Sequence, residues 1–151
     1  MSHAQKKFIL ALFYCQNTPG SSERERQALE REYGQALRLF PLPCSGRLEP
    51  LHLLRALEEF ADASYLVACP EGTCRYMEGN RRAEKRVART RELLRDVGLE
   101  AERVGMVIRT PGDSKPLAAL VKEIRGRTEG LGISPVRNPA GRKKGKKREG
   151  S

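Results

Sequence analysis

The sequence has no tryptophan, and aromatic residues make up only 5% of its 151 positions. The core must therefore be built from aliphatic side chains. Histidine is scarce too. His3 lies near the start and His52 on an expected helix face. Both read most simply as surface residues, which leaves little material for an acid–base or nucleophile triad. No apolar run approaches the ~20 residues of a membrane-spanning helix. "KKFILALFYC" (Lys6 to Cys15) imitates a signal peptide, yet no small-residue cleavage site follows it. The bulky Tyr14 before Cys15 also makes a poor lipoprotein site. The segment reads as a buried strand, and the chain is then expected in the cytoplasm. No G-x-G-x-x-G follows that strand and no G-x-x-x-x-G-K-[ST] occurs anywhere, so a nucleotide site has no motif behind it. There is no internal repeat.

What is abundant is positive charge. The formal net charge is +10, with 32% charged and 38% hydrophobic residues. That balance is polar but still compatible with one domain and a real core. The excess is uneven. "GRKKGKKREGS" (Gly141 to Ser151) sets six Lys and Arg against Glu149. A Gly-punctuated basic stretch has nothing to bury and is expected to be disordered. It reads either as a solubilising tail or as a contact for nucleic acid, acidic lipid or an acidic protein. The expected organisation is a flexible N-terminus over 1–6, one α/β domain over 7–127 and a disordered basic tail over 128–151.

Apolar runs of strand length alternate with segments of helical period. Strands are expected at Phe8 to Cys15, Gln35 to Pro43, Ser64 to Cys69 and Arg103 to Thr110. Helices are expected at Ser22 to Gly34, Glu49 to Ala61, Asn80 to Gly98 and Pro111 to Arg127. Pro50 fits a first helical turn, and Leu54, Leu57 and Ala61 share a face. Ala83, Val87, Leu94 and Val97 form a narrow stripe on the long basic helix. Asp113 or Ser114 is the expected cap of the last helix, where Leu117, Leu120, Val121 and Ile124 repeat at helical spacing. Strict β-α alternation predicts right-handed crossovers and a doubly wound, flavodoxin- or Rossmann-like α/β fold, with a mainly parallel four-stranded sheet and flanking helices.

The chain has only four cysteines, and two of them sit in "CPEGTCRYMEGN" (Cys69 to Asn80). Cys15 ends the first expected strand, Cys44 the second and Cys69 the third, with Cys74 in the loop beyond. In a parallel sheet all strand C-termini share one edge, where open α/β sheets place their ligands. Neighbouring strands are ~4.8 Å apart, so distant cysteines can converge there. Four converging thiolates suit a 2Fe–2S cluster or a structural zinc. No C-x2-C knuckle of the usual zinc type is present. The alternatives are a redox dithiol, or four cysteines simply packed at strand ends. Arg47, Arg75, Arg81 and Arg82 lie nearby in sequence and would offset an anionic centre, unless they are only a solvated face. Gly46, Gly72 and Gly79 would let backbone N–H groups approach sulfur.

Three stretches, "CSGRLEP" (Cys44 to Pro50), "LVACPEGTCRYMEGN" (Leu66 to Asn80) and "LLRDVGLEAERV" (Leu93 to Val104), resemble the delta subunit family of methyl-viologen-reducing hydrogenase. That family reads CSGR-[VL]-[DE]-P, then G-C-x-x-G-D-C-H-Y-x-x-G-N, then a basic helix and G-[IL]-x-x-E-R. The resemblance covers about Phe8 to Arg127. It implies a small 2Fe–2S electron-transfer protein that makes and breaks no bonds of its own. Its implied partners are a subunit of a hydrogenase or formate dehydrogenase, and a heterodisulfide-reductase-like flavin/iron–sulfur subunit. The chain departs from the pattern in three places. The family's first strand commonly ends in C-x2-C, whereas here Thr18 holds the second position. D-C-H-Y becomes Thr73-Cys74-Arg75-Tyr76, which adds positive charge. The basic tail is also not a family feature.

The expected function is therefore one-electron relay through a 2Fe–2S cluster on Cys15, Cys44, Cys69 and Cys74. The alternatives are a zinc-stabilised interaction module, colourless but metal-bearing, and a metal-free basic adaptor. Against nucleic acid as the partner, the basic residues are not interleaved with aromatics and no nucleic-acid motif appears.

Overall fold

The first strand is buried at every position, as a continuous apolar run requires when helices cover both faces of a parallel sheet. The computed structural model describes residues 7–16, 18–43, 49–68, 77–107 and 115–137, with the backbone alone for 77–80. In chain order the elements are β1 (Leu10–Cys15), α1 (Glu23–Tyr33), β2 (Leu37–Leu42), α2 (Pro50–Glu59), β3 (Ala63–Val67), α3 (Met77–Asp96), β4 (Val104–Val107) and α4 (Leu117–Thr128). Short 3-10 turns precede β2 and β4 and follow α4. The four strands form one sheet in the order β2-β1-β3-β4, and every pair is parallel. This is the doubly wound α/β architecture that the alternation predicts. No helix among the described residues is long and apolar enough to cross a membrane.

Strand alternation sorts the core into two layers. Leu10, Leu12 and Tyr14 of β1 pack with Leu29 of α1 and with Leu117, Leu120, Val121 and Ile124 of α4. Ala11 and Phe13 pack on the other side with Leu53, Ala56 and Leu57 of α2 and Ala83, Val87 and Leu94 of α3. Successive side chains of a strand point to opposite faces, so α1 and α4 cover one face and α2 and α3 the other.

Local signals fix the element ends. Ser22 caps α1 by accepting from the Glu25 N–H, while the Glu25 carboxylate accepts from the Ser22 N–H. The Ser22 hydroxyl, at 2.8 Å, and the Ser22 N–H both donate to the Glu25 carboxylate and hold it below its usual range. Gly34 ends that helix with φ of 60°, a conformation that favours glycine. Pro50 opens α2, where its missing N–H has no intrahelical partner to lose.

The structure differs from the sequence reading in three respects. Val97 lies past the last residue of α3 and is 70% exposed, so it is no part of the buried stripe. α4 starts at Leu117 with Pro116 at the N-cap, so Asp113 and Ser114, outside the described residues, stand too early to cap it. Residues 128–137, expected in the tail, also belong to the packed fold, because Ser134 and Arg137 dock onto Asp62. The basic stretch from 138 onward lies outside the described residues.

Candidate metal centre

The strand order reverses direction at β1: β2 lies on one side, β3 and β4 on the other. Open α/β sheets bind ligands beyond the strand C-termini at such a point. Cys15 is the last residue of β1 and is 1% exposed. Its register partner in β2 is Leu42, and the preceding Tyr14 pairs with Val67 in β3. From these flanking ends, Cys44 is two residues beyond Leu42 and Cys69 two beyond Val67. Cys44, Cys69 and Cys74 lie outside the described residues, so Cys15 is the candidate ligand whose position is defined. Among the described residues, no group of three or more His, Cys, Asp or Glu side chains could hold a metal ion.

Alternation along β1 puts Cys15 on the face of Ala11 and Phe13, the face covered by α2 and α3. The segments that carry the other three cysteines lead into these same two helices, at Pro50 and Met77. The start of α2 meets the middle of α3, where Arg86 lies 3.6 Å from the carboxylate of Glu49, the N-cap of α2. A helix N-terminus carries a positive field that favours thiolate over thiol. Arg81 and Arg82 are exposed on the early turns of α3, whereas Arg47 and Arg75 lie outside the described residues. Of the three glycines singled out, Gly79 is the third residue of α3, and Gly46 and Gly72 lie outside the described residues.

His52 is exposed, as expected, yet it has two structural tasks. Its Nδ1 accepts from the Glu49 N–H at 3.0 Å, and its ring lies 6.5 Å from that of Phe13. It thus ties the start of α2 to β1, two residues before Cys15. Tyr14 faces the other layer, and burial raises its phenol above the ordinary value.

Just beyond Cys15 the chain turns sharply. The Thr18 N–H donates to the Cys15 carbonyl at 2.9 Å, and the Gln16 N–H to the Leu42 carbonyl at 2.8 Å. The Thr18 carbonyl accepts from Ser21 Oγ, and the Pro19 carbonyl from the Leu117 N–H at 2.8 Å. Gly20 has φ of 69°, and a Cβ there would stand 2.8 Å from that of Pro116, so this turn needs glycine. Thr18 itself is 4% exposed, and its Oγ1 has no hydrogen-bond partner among the described residues. A buried hydroxyl left unpaired costs about 1–3 kcal/mol. Sequence reading noted Thr18 only as a departure from a pattern; its burial is visible only in the fold.

The opposite edge of the sheet is closed by charge. Asp62, fully buried before β3, accepts from the Ile9 N–H at 2.8 Å and the Ser134 N–H at 2.7 Å, and pairs with Arg137. Arg103, 1% exposed before β4, donates to the carbonyls of Asp62, Leu131 and Gly132 and to the Glu100 carboxylate. These groups fasten residues 131–137 across the strand N-termini. Their hydrogen bonds are satisfied within the fold, which marks this edge as structural.

Comparison with known proteins finds relatives over most of the described chain. The family model for methyl-viologen-reducing hydrogenase, delta subunit, matches residues 9–132. An F420-non-reducing hydrogenase iron-sulfur subunit, of the vhu type, from Methanocaldococcus jannaschii is 32% identical over 106 residues, covering 70% of this chain and 79% of that protein. Its namesake from Methanopyrus kandleri is 33% identical over 101 residues, covering 67% of this chain and 76% of the relative. A ferredoxin:CoB-CoM heterodisulfide reductase subunit of Methanosarcina mazei matches at 32% identity over 72 residues, which cover 48% of this chain and 9% of that much longer protein. A match over nearly the whole described fold, with the cysteine-bearing segments inside it, places this chain in the methyl-viologen-reducing hydrogenase delta subunit family.

Proposed function

We propose that this chain is a cytoplasmic electron-transfer subunit that holds one 2Fe–2S cluster on Cys15, Cys44, Cys69 and Cys74. The observation that carries the reading is the place of Cys15: buried at the C-terminal end of β1, at the switch in strand order, between the strand ends that lead to Cys44 and Cys69. Covalent geometry alone keeps a residue two positions past a strand end within ~7.6 Å of it. The donor set is chemically suited, because four thiolates are the usual ligands of such a cluster. The names of the relatives support iron–sulfur chemistry of some type.

When bound, the cluster would accept one electron and pass it on, with no bond made or broken in this chain. The chain's own residues would supply the ligands, exclude water through the buried end of β1 at Cys15, and lend the positive N-terminal ends of α2 and α3. The proposed route runs between a hydrogenase- or formate-dehydrogenase-type partner and a heterodisulfide-reductase-type flavoprotein. The match to a heterodisulfide reductase of Methanosarcina mazei supports the second of these.

Single Cys-to-Ser changes at the four positions test the assignment. Each is expected to lower iron and acid-labile sulfide far below the wild-type content after identical anaerobic reconstitution. Full retention in any one variant would remove that residue from the ligand set. One zinc and no colour in the wild type would replace electron transfer with a zinc-stabilised interaction module.

A further inference from the structure

We propose that Thr18 is a positioning residue whose hydroxyl donates a hydrogen bond to sulfur at the Cys15 corner of the metal site. The inference rests on the iron–sulfur reading given above. Its own observation is the state of the Thr18 side chain. The residue is 4% exposed, and its backbone is pinned on both sides, with the N–H on the Cys15 carbonyl and the carbonyl on Ser21 Oγ. The hydroxyl alone has no partner among the described residues. Valine has the same shape and would fill this place without burying a polar atom. A threonine there therefore calls for an acceptor that the described residues around it do not provide.

Sulfur in a thiolate-held cluster is such an acceptor. It carries negative charge, it takes hydrogen bonds from hydroxyl and N–H donors, and these bonds set reduction potential. Two other buried polar atoms also have no partner among the described residues, Ser64 Oγ and Arg91 Nε. Ser64 is the second residue of β3, toward the opposite edge of the sheet, and Arg91 lies in the second half of α3. Thr18 alone of the three is joined by a hydrogen bond to the residue that opens the proposed site. The donated bond strengthens when an electron enters the cluster, because the sulfur then carries more negative charge. Thr18 therefore favours the reduced state and raises the midpoint potential.

The test compares wild type, Thr18→Val and Thr18→Ser as full-length chains, reconstituted anaerobically with ferrous iron and sulfide. Three quantities are read: midpoint potential by EPR-monitored titration, the rate at which a chelator removes iron, and the Tm of the metal-free protein. In Thr18→Val the potential is expected to move negative and iron loss to quicken about tenfold, while the metal-free Tm equals or exceeds that of wild type. Thr18→Ser should restore potential and retention. Unchanged potential and retention in Thr18→Val would overturn the inference and leave the cluster assignment standing. A lower metal-free Tm in Thr18→Val, with potential unchanged in whatever cluster-bearing protein remains, would also overturn it, in favour of a purely structural threonine. Failure of the wild type to take up iron would overturn the cluster reading itself, and this inference with it.

Discussion

Asp62 is fully buried with both carboxylate oxygens engaged. Removing it would take the carboxylate from Arg137 and leave two backbone N–H groups, those of Ile9 and Ser134, without their acceptor at the closed edge of the sheet. Breaking a buried ion pair from one side costs about 3–5 kcal/mol, so Asp62→Ala is expected to lower unfolding stability in urea by about that much. Glu100 offers a milder, pH-dependent test. Burial works to raise its carboxyl, but the hydrogen bond from Arg103, a backbone hydrogen bond and the Arg103 charge together outweigh it, and the net shift is downward. A lowered folded-state value means a contribution present in full above the usual carboxylate range and lost as pH falls through the folded value. Glu100→Gln should therefore lower stability at neutral pH, flatten the acid limb of a stability–pH profile below about pH 4.5, and converge with wild type at the acid end. Neither residue stands out in the sequence. Asp62 reads as a loop polar residue and Arg103 as the start of a strand, since their partners lie up to 75 positions away. Thr18 shows the same blindness, because a threonine in a turn gives no sign of being buried. Of the candidate ligands, Cys15 could be read as a strand end because its apolar run stops there. Cys44, Cys69 and Cys74 lie outside the described residues.

The elements themselves were largely legible. Their periods differ sharply, and strong end signals such as Ser22, Gly34 and Pro50 fall where the helices begin and end. Errors arose where a period ran past the true end of an element. Val97 continues the stripe of α3 in sequence but comes after the helix stops, and Gly98, with φ of 87°, then redirects the chain. Pro116 starts α4 later than the polar run before it suggests, since proline fits a helix start and not its interior. Two substitutions probe element packing. Ser22→Ala removes one side of the cap of α1 and should cost about 1 kcal/mol, read as a lower urea midpoint. Gly105 in β4 lies against the ring of Tyr65, where an added Cβ would come within 2.4 Å of Cε2. That ring is anchored by a 2.8 Å hydrogen bond from its hydroxyl to the Glu102 carbonyl. Gly105→Ala should therefore destabilise by about 1–3 kcal/mol through overpacking, measured by the same method.

Across the sheet as a whole, the two edges have opposite character. At the strand N-termini, Asp62 and Arg103 bind residues 131–137 into a closed lattice of charge and carbonyls. A chain ended at Arg127 loses Ser134 and Arg137 and should unfold at markedly lower urea than one ended at Arg137. At the strand C-termini lie Cys15, a buried hydroxyl on Thr18 with no partner among the described residues, and the starts of α2 and α3. The doubly wound topology could be read from the β-α alternation, but the strand order that puts β1 between β2 and β3 could not. That order makes the Cys15 edge a switch point. The decisive experiment is metal and sulfide analysis with reduced-state EPR on anaerobically reconstituted full-length protein. The proposal predicts about two irons and two acid-labile sulfides per chain with a reducible rhombic signal. A colourless protein, with one zinc or with no metal, would contradict it.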